Sequence, residues 1–314
     1  MNTPMNTGLI KLAKSQRKDV ALKVGNEIGI SLGYEEEGIC PVFLGYVSSI
    51  TVEKNEFVCR IQDMMSILSQ VQMPSKVYRR GTTEWRKIIS DIWGNPVEFG
   101  DSIEGTNEIT FDCSHLPAPK ALERLTRGDA TYTGASGAEV VATFVASVYY
   151  VIPGTNTLYF GEPDKVQPYP NGGGIPVLEV GRNLIKYKLK QEGESDYKGV
   201  KAIGFDPKHC KPNIRVEVGE DPRKLITCAT VNKSELEKKA KAEWKSWEKL
   251  SAHTGTATLF GWPRLQPRME VKFKEEKGGT PISNILPELA RLTRVIHKFG
   301  WSSGFRTEVE FYGI

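Results

Sequence analysis

The chain has 314 residues, 39% of them hydrophobic and 25% charged, which is the composition of a folded protein and argues against disorder; at this length two or three domains are expected. A formal charge of +4 is too small an excess to imply, by itself, nucleic acid or an anionic membrane as partner. Cys40, Cys59, Cys113, Cys210 and Cys228 are scattered and never in a C-x-x-C spacing, which excludes a disulfide framework or structural zinc site as an expectation and fits a reducing site of synthesis. The longest apolar-rich run, Val140 to Ile152, is shorter than the roughly 20 residues that span a bilayer. No secretory signal stands at Met1, since Lys11, Lys14, Arg17 and Lys18 occupy a start that lacks an apolar segment, so no membrane insertion is expected.

Residues 1–72 read as a first β-barrel-like domain. Met1 to Gly8 is polar and without period, as a loose arm is. Val20 to Leu32 and Val42 to Ile61 supply three or four strands, and Gln62 to Leu68 follows as a short helical turn.

Residues 73–161 read as a small α+β domain. Trp85, Ile88, Ile89, Ile92 and Trp93 fall on one face of a helix, with Gly94 just past its end and Pro96 beyond. Ala118 to Thr126 carries Ala121, Leu122 and Leu125 as a second helix. Ser136-Gly137-Ala138-Glu139 has capping-box spacing and predicts a third, through Val140, Val141, Phe144, Val145 and Val148. Tyr149 to Ile152 and Leu158 to Phe160 flank Pro153-Gly154-Thr155-Asn156 as a hairpin.

Residues 162–182 are rich in Pro and Gly and read as a linker. Residues 183–314 read as a second β-barrel domain with one long amphipathic helix. Asn183 to Leu189, Lys198 to Phe205, Ile214 to Val218 and Leu225 to Val231 are its first strands. The helix starts at Asn232 and carries Leu236, Ala240, Trp244, Trp247 and Leu250 as a stripe expected to pack across the open side of a barrel. Lys238, Lys239, Lys241, Lys245 and Lys249 cover its other surface, as on a solvated face. The chain then ends inside a sheet. Met269 to Phe273 alternates as a strand, a charged tip runs from Lys274 to Gly279, Leu292, Val295, Ile296 and Phe299 follow, and Phe305 to Tyr312 closes with strict period 2. Glu27 to Leu32, the acidic tip Glu35 to Gly38, Phe43 to Val47 and Phe57 to Ile61 repeat that order near the start. Such an order suits a true internal repeat and equally any two antiparallel meanders.

Catalysis leaves few traces. His115, His209, His253 and His297 form no H-x-x-x-H or H-E-x-x-H, and His209-Cys210 sits between Lys208 and Lys211 on a turn. Glu35-Glu36-Glu37 is a hairpin tip, Gly172-Gly173-Gly174 lacks the flanks of a phosphate loop, and Gly255 to Gly261 lacks a nucleophile elbow. Trp244, Trp247, Trp262 and Trp301 read as core and rim packing rather than stacking platforms. No catalytic, cofactor-binding or metal residue is expected.

One resemblance runs nearly the length of the chain. Val24-Gly25-Asn26-Glu27-Ile28, Phe43 to Ile50, Leu158-Tyr159-Phe160-Gly161, Asn183-Leu184-Ile185, Thr258 to Pro263 and the closing Gly304 to Gly313 resemble, in order and spacing, the baseplate hub family of contractile phage tails, also called late control gene D proteins. The hub portion of the VgrG spike proteins of type VI secretion is a more distant likeness. Only about twenty residues precede Val24 where the family has strands, so the first barrel is expected to be incomplete at its start or completed by another chain, and Arg268-Met269 stands where the family usually has Gly-Asp. Thr280 to Leu289 is a longer, Pro-bearing insertion.

The resemblance implies an α+β, mainly β fold with two related antiparallel β-barrel domains and a small α+β domain between them. It implies a homotrimer whose six barrels surround a pore, with the tail tube protein on one face, the spike protein on the other, and other baseplate proteins around. It implies a structural component of the virion tail baseplate, made in the bacterial cytoplasm, with no small-molecule substrate, no cofactor and no enzymatic activity. The tips Glu35 to Gly38 and Lys274 to Gly279 become candidate contact loops. A cell-wall hydrolase segment, which some hubs carry, is not expected, as no residues are left over for one. The rival reading is a β-barrel module that binds nucleic acid or glycan through its Lys and Trp residues.

Overall fold

Alternation of inward and outward side chains builds the first sheet. The computed structural model describes residues 5–13, 22–36, 38–73, 77–78, 84–100, 111–127, 130–133, 139–142, 148–161, 174–190, 197–205, 212–228, 232–250, 254–274 and 287–313. In it β1 (Thr7–Ala13), β2 (Glu27–Tyr34), β3 (Gly38–Val52) and β4 (Glu56–Gln62) form a four-stranded sheet in the order β1-β4-β3-β2. Phe43, Val47, Phe57, Cys59 and Ile61 are its buried face, with Ile10, Leu12, Ile28 and Ile30 packed against them. β1 corrects the expectation of a loose arm through Gly8. The apolar residues Ile10 and Leu12 alternate with Lys11 and pair with the far side of β4.

A short helix, α1 (Met64–Leu68), leaves β4 with Asp63 as its N-cap, the side chain accepting from Ser66 N. Then come β5 (Val77–Tyr78), α2 (Trp85–Trp93), β6 (Val97–Phe99), β7 (Phe111–Asp112), α3 (Ala118–Arg127), β8 (Ala130–Thr133), β9 (Glu139–Ala142), β10 (Val148–Val151) and β11 (Leu158–Gly161). The faces expected for α2 and α3 are the ones they bury: Ile88, Ile89, Ile92 and Trp93 pack with Ala121, Leu122 and Leu125, over Leu158 and Phe160. Gly94 ends α2 with φ 72°, and the Trp93 ring N–H donates to the Asn156 carbonyl of the β10–β11 turn.

The helix expected from Ser136 to Val148 is not formed at the described residues of that segment. Glu139–Ala142 is instead β9, paired antiparallel with β8, and Val148 opens β10. Paired β-branched Val140 and Val141 suit a pleated strand better than a helix, where their χ1 freedom is restricted. Residues 134–138 and 143–147 of that segment lie outside the described residues.

The second large sheet takes β12 (Val177–Glu179), β13 (Leu184–Lys190), β17 (Thr254–Phe260), β18 (Glu270–Lys274), β19 (Leu289–Gly300) and β20 (Gly304–Gly313) in the order β12-β18-β19-β20-β17-β13. Leu184, Ala257, Leu259, Val271, Leu292, Val309 and Phe311 lie in its core. Between β13 and β17 in sequence, β14 (Gly199–Phe205), β15 (Pro212–Gly219) and β16 (Arg223–Cys228) form a separate three-stranded sheet, covered by α4 (Lys233–Leu250). Leu236 and Ala240 of α4 bury against Val200, Ala202 and Val216, with Trp244 half-buried beside them. The stripe was expected across a barrel; its described members Leu236, Ala240 and Trp244 pack instead on this small sheet. Asn232 begins the helix as expected, its side-chain oxygen accepting from Ser234 N.

The protein is thus mainly β with two curled half-barrel sheets. Two compact units divide the chain, Met1–Leu32 with Pro41–Pro163, and Gly33–Cys40 with Asp164–Ile314. Among the described residues no helix is long and apolar enough to cross a membrane.

Close packing meets Gly8 and Gly255 in different ways. A Cβ on Gly255 would stand 2.6 Å from the Phe311 ring and 2.8 Å from the Lys188 carbonyl, whereas on Gly8 it meets only the Ile61 side chain, at 2.8 Å. Backbone cannot turn aside as a side chain can. Gly255→Ala is expected to cost about 1–3 kcal/mol of stability and Gly8→Ala clearly less, read from urea midpoints of the two variants.

Candidate functional site

The two half-barrels are one design written twice. In the first, β2, β3 and β4 form a meander and the preceding β1 pairs with β4; in the second, β18, β19 and β20 form the meander and the preceding β17 pairs with β20. The equivalence holds residue by residue. Val47 pairs with Ile61 and Leu292 with Phe311, and in both sheets the next pairing skips a residue, to Ser49–Arg60 and to Arg294–Glu310. A β-bulge therefore sits at the same place in each. Gly8 opposes Ile61 as Gly255 opposes Phe311, and each follows a threonine, Thr7 or Thr254.

The entry to each meander is also shared. Gly25 N donates to the Val47 carbonyl and Val47 N to the Asn26 carbonyl; likewise Arg268 N donates to the Leu292 carbonyl and Leu292 N to the Met269 carbonyl. Gly25 (φ 87°) and Arg268 (φ 74°) both hold the left-handed conformation that this crossing requires. That explains the departure noted in the sequence. Arg268 occupies the position that Gly25 holds in the first repeat, and it keeps the glycine's backbone.

Where the repeats differ, the second becomes polar. Val52–Phe57 of the first corresponds to His297–Thr307 of the second. Trp262 N donates to the Thr307 hydroxyl oxygen (2.8 Å), which lies 3.1 Å from His297 Nδ1. Burial pushes the His297 imidazole down to about 4, opposed by its hydrogen bond to the Leu265 backbone. The ring is neutral at pH 7 and fastens the segment after β17 to β19 and β20. A second buried titrating group, Asp63, is pushed up to about 6 by burial, against hydrogen bonds from Asn6 and Ser66 that favour its charged form. It ties the segment before β1 to the start of α1, and Asn6 also donates to the Val151 carbonyl.

The tips of the two equivalent hairpins differ most. At β3–β4 the tip is Glu53-Lys54-Asn55-Glu56, all exposed, with Glu53 N donating to the Glu56 carbonyl. At β19–β20 it carries Phe299, 61% exposed, and Trp301, 92% exposed, with ring centroids 6.0 Å apart. Trp301 is thus no packing residue, contrary to the sequence reading, while Trp262 and Trp244 do pack. Side-chain surroundings of Trp247 lie outside the description.

Of the expected contact loops, Glu35 and Glu36 are exposed and Gly38 opens β3, while Glu37 and residues 275–279 lie outside the described residues, as do His209, Cys210 and His253. Gly172 and Gly173 lie outside them too. Cys40, Cys59 and Cys228 are free thiols. Among the described residues no three His, Cys, Asp or Glu side chains converge as a metal site would need.

Solved structures with this architecture exist. A tail protein of Neisseria meningitidis MC58 matches with a TM-score of 0.69 at 12% identity, over 98% of this chain and 88% of its own. The 43 kDa tail protein of prophage MuSo2 from Shewanella oneidensis matches at 0.62 and 10% identity, over 98% and 89%. The chain has the fold of these tail proteins. An Escherichia coli component of the type VI secretion system, described as structurally similar to bacteriophage T4 tail proteins, shares this fold with a TM-score of 0.56 at 10% identity, over 99% of this chain and 71% of that one. No family model matches the sequence, and no curated protein matches it.

Two measurements check this fold locally. Nothing lies within 4 Å of a Cβ placed on Gly25, so Gly25→Ala reports backbone alone, and it is expected to lower stability by about 1–2 kcal/mol in urea unfolding. His297 binds its proton less readily folded than unfolded, so its contribution is complete above pH 6.5 and is lost as pH falls toward 4. Over that window wild type is expected to lose about 3 kcal/mol more than His297→Gln. Asp63 works with the opposite sign, gaining stability as pH falls from about 6, so the difference between the two proteins is the quantity to read.

Proposed function

We propose that this protein is a structural, non-enzymatic component of a phage-type tail baseplate, a hub whose two related barrels assemble in three copies into a pseudo-sixfold ring between tail tube and central spike. The observation that carries this reading is the shared register of the two half-barrels. Two equivalent building blocks in one chain turn a trimer into six similar positions, and closed rotational symmetry halts growth there. The fold likeness to phage tail proteins and to a type VI secretion component supports the same role. In this reading residues 1–72 and 183–314 carry the barrels and 73–161 the intervening α+β domain, while the linker expected over 162–182 is corrected at its end, where β12 (Val177–Glu179) pairs with β18 and adds Leu178 to the second core.

Light scattering after gel filtration, with negative-stain imaging, tests it. The expected result is a trimer, appearing as a ring with six lobes. A stable monomer at high concentration that binds oligonucleotides with steep salt dependence would instead establish the rival barrel module.

A further inference from the structure

The internal repeat supplies its own control for reading surface chemistry. In a ring of three chains, a feature common to both half-barrels occurs six times, and a feature confined to one occurs three times. The equivalent hairpin tips fall in the second class. Lys54 in the first repeat stands where Phe299 stands in the second, by the pairings Val52–Phe57 and His297–Thr307 that fix the register two residues earlier. Only one of the two tips is aromatic.

That tip has the composition of a binding anchor. Trp301 is 92% exposed and Phe299 61%, and large aromatic side chains that enter a partner's pocket are where interface energy concentrates. Phe299 pairs across the hairpin with Phe305, whose ring lies 6.1 Å from that of half-buried His297. The base of the tip is therefore held by packing. Its flanks are basic: Lys298 and Arg306 face each other across the strands, Lys298 held by Glu308 at 2.7 Å and Arg306 exposed.

We propose that the β19–β20 tip is a docking element for a threefold-symmetric protein, each of whose subunits presents an apolar pocket with an acidic rim to Phe299, Trp301 and Arg306. This rests on the trimeric hub reading, and it assigns the tip to the spike side. A sixfold tube would need the same contact from both repeats, and the charged Glu53-Lys54-Asn55-Glu56 tip cannot make it.

The test is carried out in assembled tail particles. Trp301→p-benzoylphenylalanine, introduced into the full chain, is irradiated in particles purified from producing cells, and the cross-linked protein is identified by mass spectrometry and its own oligomeric state measured. Expected is a protein that is itself a trimer. Phe299→Ser with Trp301→Ser is expected to lower its co-purification with the chain by about tenfold or more, with the chain's melting midpoint and oligomeric state unchanged. A cross-link to a second copy of this chain or to a sixfold ring protein, or none in particles that contain the chain, overturns the proposal and leaves the hub reading standing. Absence of the wild-type chain from the particles overturns both.

Discussion

Each half-barrel depends on a two-bond crossing at its β-bulge. The reciprocal backbone hydrogen bonds between Gly25-Asn26 and Val47, and between Arg268-Met269 and Leu292, fix where the meander starts relative to its long central strand. Because side chains alternate with period 2, a slip of one residue would turn Val47, Cys59 and Ile61, or Leu292, Val309 and Phe311, out of the core. Each such side chain contributes about 1.5–3 kcal/mol by burial, so a slipped sheet is far from competitive. The left-handed residue at the crossing makes this register accessible. Gly25 adopts it freely, and Arg268 adopts it at a backbone cost that the surrounding bonds offset.

Much of the sheet structure is written in period 2, and there the sequence is a reliable guide. Phe305 to Phe311 and Glu270 to Lys274 are strands because Phe305, Val309 and Phe311, like Val271 and Phe273, fall on one side. The helices α2 and α3 are equally plain, since their apolar residues return every third or fourth position and bury in one cluster. The signal weakens where local and tertiary preferences part. Ser136 to Glu139 has the spacing of a helix start, yet spacing alone cannot outweigh a β-branched pair that finds a partner strand in β8. β1 is short and flanked by polar residues, so its alternation of Ile10 and Leu12 with Lys11 gains meaning only beside β4.

The α4 stripe marks a different boundary of what sequence can tell. Leu236, Ala240 and Trp244 show which face of the helix is apolar, and that face is indeed buried. They carry no information on which sheet receives it. Tip chemistry is hidden for a related reason: Trp301 between Gly300 and Gly304 reads as a turn residue, and only the register of β19 against β20 shows that it projects where the other repeat carries charge. The repeat itself was visible as an order of strands, but its proof lay in paired residues that share almost no side chains.

Divergence between the repeats follows a physical logic. Inward positions stay apolar in both, Val47 with Leu292, Cys59 with Val309, Ile61 with Phe311, because the core tolerates a change of shape more readily than a change of polarity. Near the open end, where the second repeat replaces Val52 and Phe57 with His297 and Thr307, polarity enters as a complete network: Trp262 N–H, the Thr307 hydroxyl, the imidazole and the Leu265 backbone satisfy one another. That network stiffens the strands that carry Phe299, Trp301 and Phe305. A rigid base reduces the conformational entropy lost when an exposed aromatic tip is buried by a partner. The polar substitution inside the barrel and the aromatic substitution outside it therefore act together, the first making the second an efficient anchor.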